Sequence, residues 1–280
     1  MKQAYKTWKY NGGEVGVRLE CAETFETGFR IQNSDDLIAM FMAIDAYEME
    51  TKKSIRNITI PYLPYARQDR IATKGDPMAI GVLASLIASA GITTVNTIDV
   101  HSEKSIEAFA IEGIHLNSIS PVKYIEKYLK IINATADNVV FIAPDKGAHE
   151  KTTRYCDALY ISKAIQCYKQ RSPIDGSLMG FYVDEEFSVS PNHLNLSGNE
   201  MTNFVIVDDI CDGGGTFHGV ADAVRKAYED FKLPYRLHLW TTHGIYSKGI
   251  DDLLKKFDTL GCTNSFTNNI KHDRLFTIDI

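Results

Sequence analysis

Phe204 to Thr216 reads Phe-Val-Ile-Val-Asp-Asp-Ile-Cys-Asp-Gly-Gly-Gly-Thr, a β-favouring apolar run that ends in carboxylates and then in consecutive glycines. No other stretch restricts the possible folds so tightly. An open α/β sheet binds ligands beyond the carboxyl ends of its strands, and a strand that stops at a cluster of charges has the composition of such an edge. The same residues would also suit an acidic, glycine-rich turn that merely caps a strand. Their order favours a phosphate. Glycine N–H groups close on phosphate oxygens with no Cβ in the way, and a helix starting near Thr216 adds the positive end of its dipole. Asp208 and Asp209 can accept hydrogen bonds from sugar hydroxyls, and the Thr216 hydroxyl can donate to a phosphate oxygen. The segment therefore reads as a ribose-phosphate cradle built from Asp208, Asp209, Asp212, Gly213, Gly214, Gly215 and Thr216.

The remainder of the chain alternates strand-like and helix-like runs, the pattern of parallel α/β architecture. Strands are expected at Ile58–Ile60, Val95–Val100, Val139–Ala143, Phe204–Val207, Leu237–Thr241 and Phe276–Ile280, with the carboxylates after Val207 lying in a loop. Leu37, Ile38, Phe41 and Met42 have helical spacing after a Ser34 cap, as do Val220, Ala223, Val224, Ala227 and Phe231 after the glycines. A length of 280 residues suits two domains. The polar turn Asn117-Ser-Ile-Ser-Pro121 is the best boundary, dividing the chain into 1–118 and 119–280, and the last strand is a candidate to pack back on the first domain.

With 44% hydrophobic and 24% charged residues the composition is that of an ordinary soluble globular protein. A formal charge of −6 argues against a nucleic-acid-binding surface. Cys21, Cys156, Cys167, Cys211 and Cys262 show neither paired nor zinc-like spacing, which suggests a reducing cytoplasm. The start has no apolar signal region, and the longest apolar stretch, near Ala39 to Ala46, is too short to cross a bilayer, so no membrane role is expected.

Five further segments carry chemistry-bearing residues. Ile60-Pro-Tyr-Leu-Pro-Tyr-Ala-Arg67-Gln68-Asp69-Arg70 leaves a strand for a rigid Pro/Tyr turn that displays two guanidinium groups and an amide, a set suited to a triphosphate. The others are Tyr10-Asn-Gly12-Gly-Glu14, Thr97-Ile-Asp99-Val-His101, Phe141-Ile-Ala-Pro-Asp145-Lys146-Gly147-Ala148 and Lys169-Gln-Arg171. Singly, each has an ordinary reading: a strand-end His is often structural, and a Lys-x-Arg pair is often a solvated surface.

Taken in this order and spacing, the six segments resemble the ribose-phosphate diphosphokinases, or PRPP synthetases, over nearly the whole chain. The glycine loop alone is shared with type I phosphoribosyltransferases, whereas the segment ending in Arg67-Gln68-Asp69-Arg70 looks like the synthetases' ATP-binding segment. The resemblance implies two type I phosphoribosyltransferase-like α/β domains, each a mainly parallel sheet flanked by helices, with ATP on the first and ribose phosphate on the second. Tyr10, Gly12 and Glu14 look like an adenine-contacting strand segment. Asp145, Lys146, Gly147 and Ala148 look like the pyrophosphate loop, with His101 and Asp145 at the Mg²⁺ site. Lys169 and Arg171 resemble the outer cations of a catalytic loop that continues into a flap or hairpin over Ser172–Leu196, and His101 joins them as a candidate catalytic residue.

The implied reaction moves the β,γ-diphosphate of ATP to an anomeric hydroxyl and releases AMP. Mg²⁺ and the cations stabilise charge as it spreads over phosphoryl oxygens. One departure bears on the acceptor. Gly213 stands where synthetases usually have Thr, which removes a hydroxyl donor and enlarges the loop. Ribose 5-phosphate, or ADP-ribose with its 5-substituent and a place in NAD salvage, is the expected acceptor. The chain also opens almost directly on the Tyr10 segment, without the usual first strand and helix, so the resemblance does not carry over hexamer formation or allostery; a homo-oligomer, a dimer or higher, is expected. A phosphoribosyltransferase gives no reason for Tyr10–Glu14 or Arg67–Arg70, and a catalytically silent regulatory partner gives none for retaining Lys169 and Arg171.

Overall fold

A computed structural model describes residues 4–171, 178–183, 201–228, 234–267 and 269–280. The chain divides into two compact units, Met1–Ser120 and Pro121–Ile280.

The first unit opens with an antiparallel hairpin of β1 (Tyr5–Lys9) and β2 (Val15–Leu19), followed by α1 (Ser34–Thr51). Asn33, not Ser34, caps α1. Its side chain accepts from the Asp36 amide while Asp36 reaches back to the Asn33 amide, a reciprocal capping box that satisfies two otherwise orphaned donors. Then come β3 (Asn57–Thr59), α2 (Ala79–Ser89), β4 (Thr94–Ile98), α3 (Glu103–Ile111) and β5 (His115–Ile119). The three strands pair in parallel in the order β3-β4-β5. Their apolar residues meet Met40 and Ile44 of α1, Leu83 and Ile87 of α2 and Phe109 of α3 in one core. Asn117 to Ile119, expected in a turn, belong to β5: Asn117 Nδ2 donates to Asn96 Oδ1 at 3.1 Å, so a polar side chain satisfies its neighbour on this strand.

The second unit comprises α4 (Val122–Ile131), β6 (Val139–Ala143), α5 (Lys146–Leu159), β7 (Ala164–Arg171), β8 (Leu178–Val183), β9 (Thr202–Cys211), α6 (Gly215–Tyr228), β10 (Tyr235–Gly244), α7 (Asp251–Leu254), β11 (Thr259–Thr263) and β12 (Leu275–Ile278). Its sheet has the order β12-β11-β10-β9-β6-β7-β8, parallel except for β8. The last strand pairs in parallel with β11 in this sheet. Tyr128 of α4 packs on Trp240 with ring centres 5.4 Å apart and shares a 2.7 Å hydrogen bond with Thr259. Gly261 leaves the space for this packing, since a Cβ there would meet both rings below 3 Å. Phe217, Val220 and Val224 of α6 fill a core with Phe204, Ile206 and Leu239.

Chain direction across the sheet reverses between β6 and β9. From β6 the chain proceeds to β7 and β8 on one side, and from β9 to β10, β11 and β12 on the other. In open α/β sheets such a switch point leaves a crevice at the carboxyl ends of the strands.

Candidate active site

The carboxyl ends of β6, β7 and β9 bring three of the expected segments together. β9 runs further than the sequence pattern indicates. Asp208 and Asp209 are strand residues, not loop residues, because β10 pairs alongside them with Thr241 opposite Asp208 and Gly244 opposite Cys211. Burial and the adjacent Asp209 push the Asp208 carboxyl well above the usual carboxylate range, with Asp145 adding to the rise.

Asp145 follows β6 and caps α5. Its Oδ1 accepts from the Gly147 and Ala148 amides at 3.0 and 3.2 Å, and its Oδ2 accepts from Lys169 Nζ at 2.6 Å. Two of the expected pyrophosphate-loop amides are thus engaged by their own N-cap, while Lys146 is exposed. β7 continues through Lys169 to Arg171 and returns antiparallel along β8, so the hairpin is present as far as it is described. Residues 172–177 and 184–196 of the expected flap lie outside the described residues, and only the backbone of Gln170 and Arg171 is described.

Lys151 is a site residue that sequence reasoning missed. It lies on α5 with its side chain 16% exposed and its Nζ 3.6 Å from Asp209 Oδ2. A signal was available: Ala148, Lys151 and Tyr155 share one helical face, and both neighbours of the lysine on that face are buried. A cation on an apolar helix face implies a buried anionic partner.

The glycines differ in what they allow. Gly214 has φ +78°, and a Cβ there would meet Leu253 at 3.1 Å, whereas Gly215 opens α6 with nothing within 4 Å. A Cβ on Gly213 would lie 3.3 Å from the side chain of Lys248. Ser247 Oγ donates to Asp212 Oδ1 at 2.5 Å. Thr216 sits in the first turn of α6 and is half-buried.

In the first unit, the Pro/Tyr loop is built on the end of β3. The Ile98 amide donates to Pro61 O at 3.1 Å, and Tyr65 turns the chain with φ +63°. Arg67, Gln68 and Arg70 are exposed, but Asp69 is buried. Its carboxylate accepts from Arg70 at 2.7 and 3.0 Å and from Ser102 Oγ at 2.6 Å. The Arg70 guanidinium, then Ser102, hold its pKa down to about 2 against the opposing effect of burial. Asp69 therefore clamps the arginine loop to the His101–Ser102 corner, which follows Asp99 in the left-handed region at φ +50°. A non-glycine residue in that region marks a corner held by its surroundings.

Tyr10 to Glu14, expected as a strand segment, form the turn of the β1–β2 hairpin. The Gly13 amide donates to Tyr10 O, the Tyr10 amide donates to Glu14 O, both at 2.9 Å, and Gly13 has φ +97°. Tyr10 is 54% exposed with its ring edge-on to Trp8. Both loops are tied to the start of α1, by Lys9 to Asp35 at 2.6 Å and by Tyr65 Oη to Ser34 Oγ at 3.3 Å. His101 belongs to the first unit and Asp145 to the second, and no group of three or more metal-ligating side chains occurs among the described residues.

A parallel α/β unit with paired carboxylates and a glycine loop at its switch point, joined to an α/β unit bearing an arginine loop, defines a sugar-phosphate and nucleotide-handling class of protein. The family description for the N-terminal domain of ribose phosphate pyrophosphokinase matches residues 9–91. The ribose-phosphate pyrophosphokinase of Thermotoga maritima is 30% identical over 274 residues, covering 95% of this chain and 79% of that protein. That of Pyrococcus furiosus is 26% identical, covering 92% and 84%. The chain belongs to the ribose-phosphate pyrophosphokinase family, a family of diphosphotransferases. The fold agrees: the crystal structure of phosphoribosylpyrophosphate synthetase from Mycobacterium smegmatis superposes with a TM-score of 0.76 at 20% identity, covering 99% of this chain and 86% of that one. No helix among the described residues is long and apolar enough to cross a membrane.

Proposed function

We propose that this chain transfers the β,γ-diphosphate of ATP to the C1 hydroxyl of ribose 5-phosphate, forming PRPP and releasing AMP. The observation that carries the reading is the convergence of Asp145, Lys169, Asp208 and Asp209 at the β6/β9 switch point beside the glycine loop, in a member of this family. The second unit would hold the ribose phosphate through Asp208, Asp209 and the 212–216 loop. The first would hold ATP through Tyr10, Gly12, Glu14, Arg67, Gln68 and Arg70, with Asp69 fixing the loop that presents the arginines.

Magnesium fits the donor set. An ion that prefers oxygen and arrives on nucleotide phosphates needs only one or two protein groups; in the second unit the Asp145 carboxylate would hold it, in the first unit His101 is the group the resemblance offers, and when bound it would neutralise charge on the triphosphate. The remaining chemistry belongs to the chain. The C1 oxygen forms a bond to the β-phosphorus as the bond from that phosphorus to the oxygen retained by AMP breaks, and the hydroxyl proton passes to solvent water. Asp208 and Asp209 orient the sugar, with Lys151 Nζ beside the Asp209 carboxylate. Lys169 exchanges Asp145 for the transferring phosphoryl oxygens, and Arg171 and His101 assist in stabilising them.

ADP-ribose as acceptor rests on the hydroxyl lost at Gly213. The space released there is bordered by Lys248, which favours a terminal phosphate over a substituted one. Free, largely buried thiols, with burial pushing Cys156 and Cys167 up to about 12, suit a cytoplasmic enzyme. Exposed Ile38, Met42 and Met49 on α1 favour self-association as a homo-oligomer. The test is AMP release from ATP and Mg²⁺ with ribose 5-phosphate and, in parallel, ADP-ribose, with products identified by mass. Ribose 5-phosphate is expected to be preferred. Preference for ADP-ribose would move the protein to NAD metabolism. No AMP with either would overturn the proposal in favour of a silent partner or a phosphoribosyltransferase, which a nucleobase and PRPP would reveal.

A further inference from the structure

A cation from a different segment borders the glycine loop. β10 ends at Gly244, and the chain then turns beneath the 211–215 loop. The Ile245 and Tyr246 amides both donate to Cys211 O, at 2.9 and 3.1 Å, and Ser247 Oγ donates to Asp212 Oδ1 at 2.5 Å. The turn is closed by the Gly249 amide on Tyr246 O at 2.8 Å, with Gly249 at φ +75°. These bonds hold Lys248 against the glycine loop. Its Cε, Cδ and Cγ lie 3.3, 3.4 and 3.8 Å from the place a Cβ on Gly213 would occupy. The side chain is exposed, and no carboxylate among the described residues pairs with it. A side chain at 213 would touch this stem, whose exposed end can give by a few tenths of an ångström, so the lysine lies within reach of whatever the glycine loop binds.

We propose that Lys248 is a specificity-determining residue whose ammonium binds the terminal phosphate of the acceptor, taking the place of a side-chain donor at 213. The inference rests on the second unit's being the ribose 5-phosphate site. A compact point charge gains more from a terminal phosphate dianion than from the singly charged phosphate of a diphosphate ester, so Lys248 selects ribose 5-phosphate over acceptors substituted at the 5-position.

The experiment uses the full chain and measures ribose 5-phosphate binding by calorimetry without ATP, and turnover separately. Lys248→Met keeps the stem and removes the charge. It is expected to weaken ribose 5-phosphate binding roughly 10- to 100-fold, the size of a charged hydrogen bond, and to raise KM with kcat little changed. Lys248→Arg is expected to retain binding within about threefold, because it keeps the charge. Adding Gly213→Thr to Lys248→Met should recover part of the loss, whereas the same change in the unaltered protein should gain nothing, a non-additivity that a merely exposed lysine would not show. Unchanged binding in Lys248→Met, or strictly additive effects, overturns the role of Lys248. Normal binding without AMP formation in the unaltered protein overturns the proposed reaction alone, and no binding of ribose 5-phosphate overturns both.

Discussion

At the scale of single residues, the site is a set of charges held in check by one another. Lys169 rests on Asp145 and Lys151 on Asp209, while Asp208 is pushed toward its protonated form. Both lysines therefore have a carboxylate partner in the absence of substrate, and for either to act on a phosphoryl group it must exchange that partner. Lys169 is the better candidate, being 27% exposed against 16% for Lys151. Lys169→Ala is expected to lower kcat by roughly 100- to 1000-fold, as loss of a transition-state donor does, with KM for both substrates little changed. Steady-state kinetics would decide this, and an unaltered kcat would remove Lys169 from the transition state. Helical spacing marks Lys151 as a cation on the buried face of α5, but its partner Asp209 lies 58 positions away and local spacing does not identify it.

At the scale of elements, the glycine loop separates backbone requirement from open space. Gly214→Ala places a Cβ in the left-handed region and against Leu253, and is expected to cost about 1–3 kcal/mol of stability. Gly215→Ala meets nothing and starts a helix, so its stability is expected to be unchanged or raised by up to about 1 kcal/mol. Chemical denaturation of the two variants checks the contrast. Elements that were legible were those with uniform burial, such as Val139–Ala143. Asp208 to Cys211 read as loop because carboxylates interrupt the apolar run, yet pairing with β10 carries the strand through them. Thr259–Thr263 was missed for the opposite reason. Gly261 weakens its strand signal, although its missing side chain is what admits Tyr128 and Trp240.

At the scale of the whole molecule, the two units have separate cores and separate acid sensitivities. His238 of the second unit is buried between Thr259 and Asn203 at 2.8 and 3.2 Å, and burial lowers its pKa to about 4. The unfolded chain, with an ordinary histidine near 6.5, binds that proton more readily. Stability from His238 is complete above about pH 6.5 and declines by about 3 kcal/mol as pH falls to about 4. Asp69 of the first unit, held at about 2, keeps its contribution down to roughly pH 4 and loses it as pH falls toward 2. Because the raised Asp208 carboxyl of the same unit acts in the opposite sense, the test compares variants: calorimetry between pH 7 and 4 should show His238→Gln losing less second-unit stability on acidification than the unaltered protein, and an identical pH dependence in the two would refute the assignment.

The alternation of strand-like and helix-like runs determined the α/β class, and the order of the six segments determined the family resemblance and the position of the glycine loop, because strand, carboxylate and glycine lie next to one another in the chain. Local chemistry was enough there. The partners of those segments were decided only by tertiary structure. Ser102 reaches Asp69 across 33 positions, Ser247 reaches Asp212 across 35, and the turn that delivers Lys248 to Gly213 carries no recognisable motif of its own. A motif records what one stretch of chain can bind, whereas charge balance and donor replacement depend on which strands the sheet places side by side.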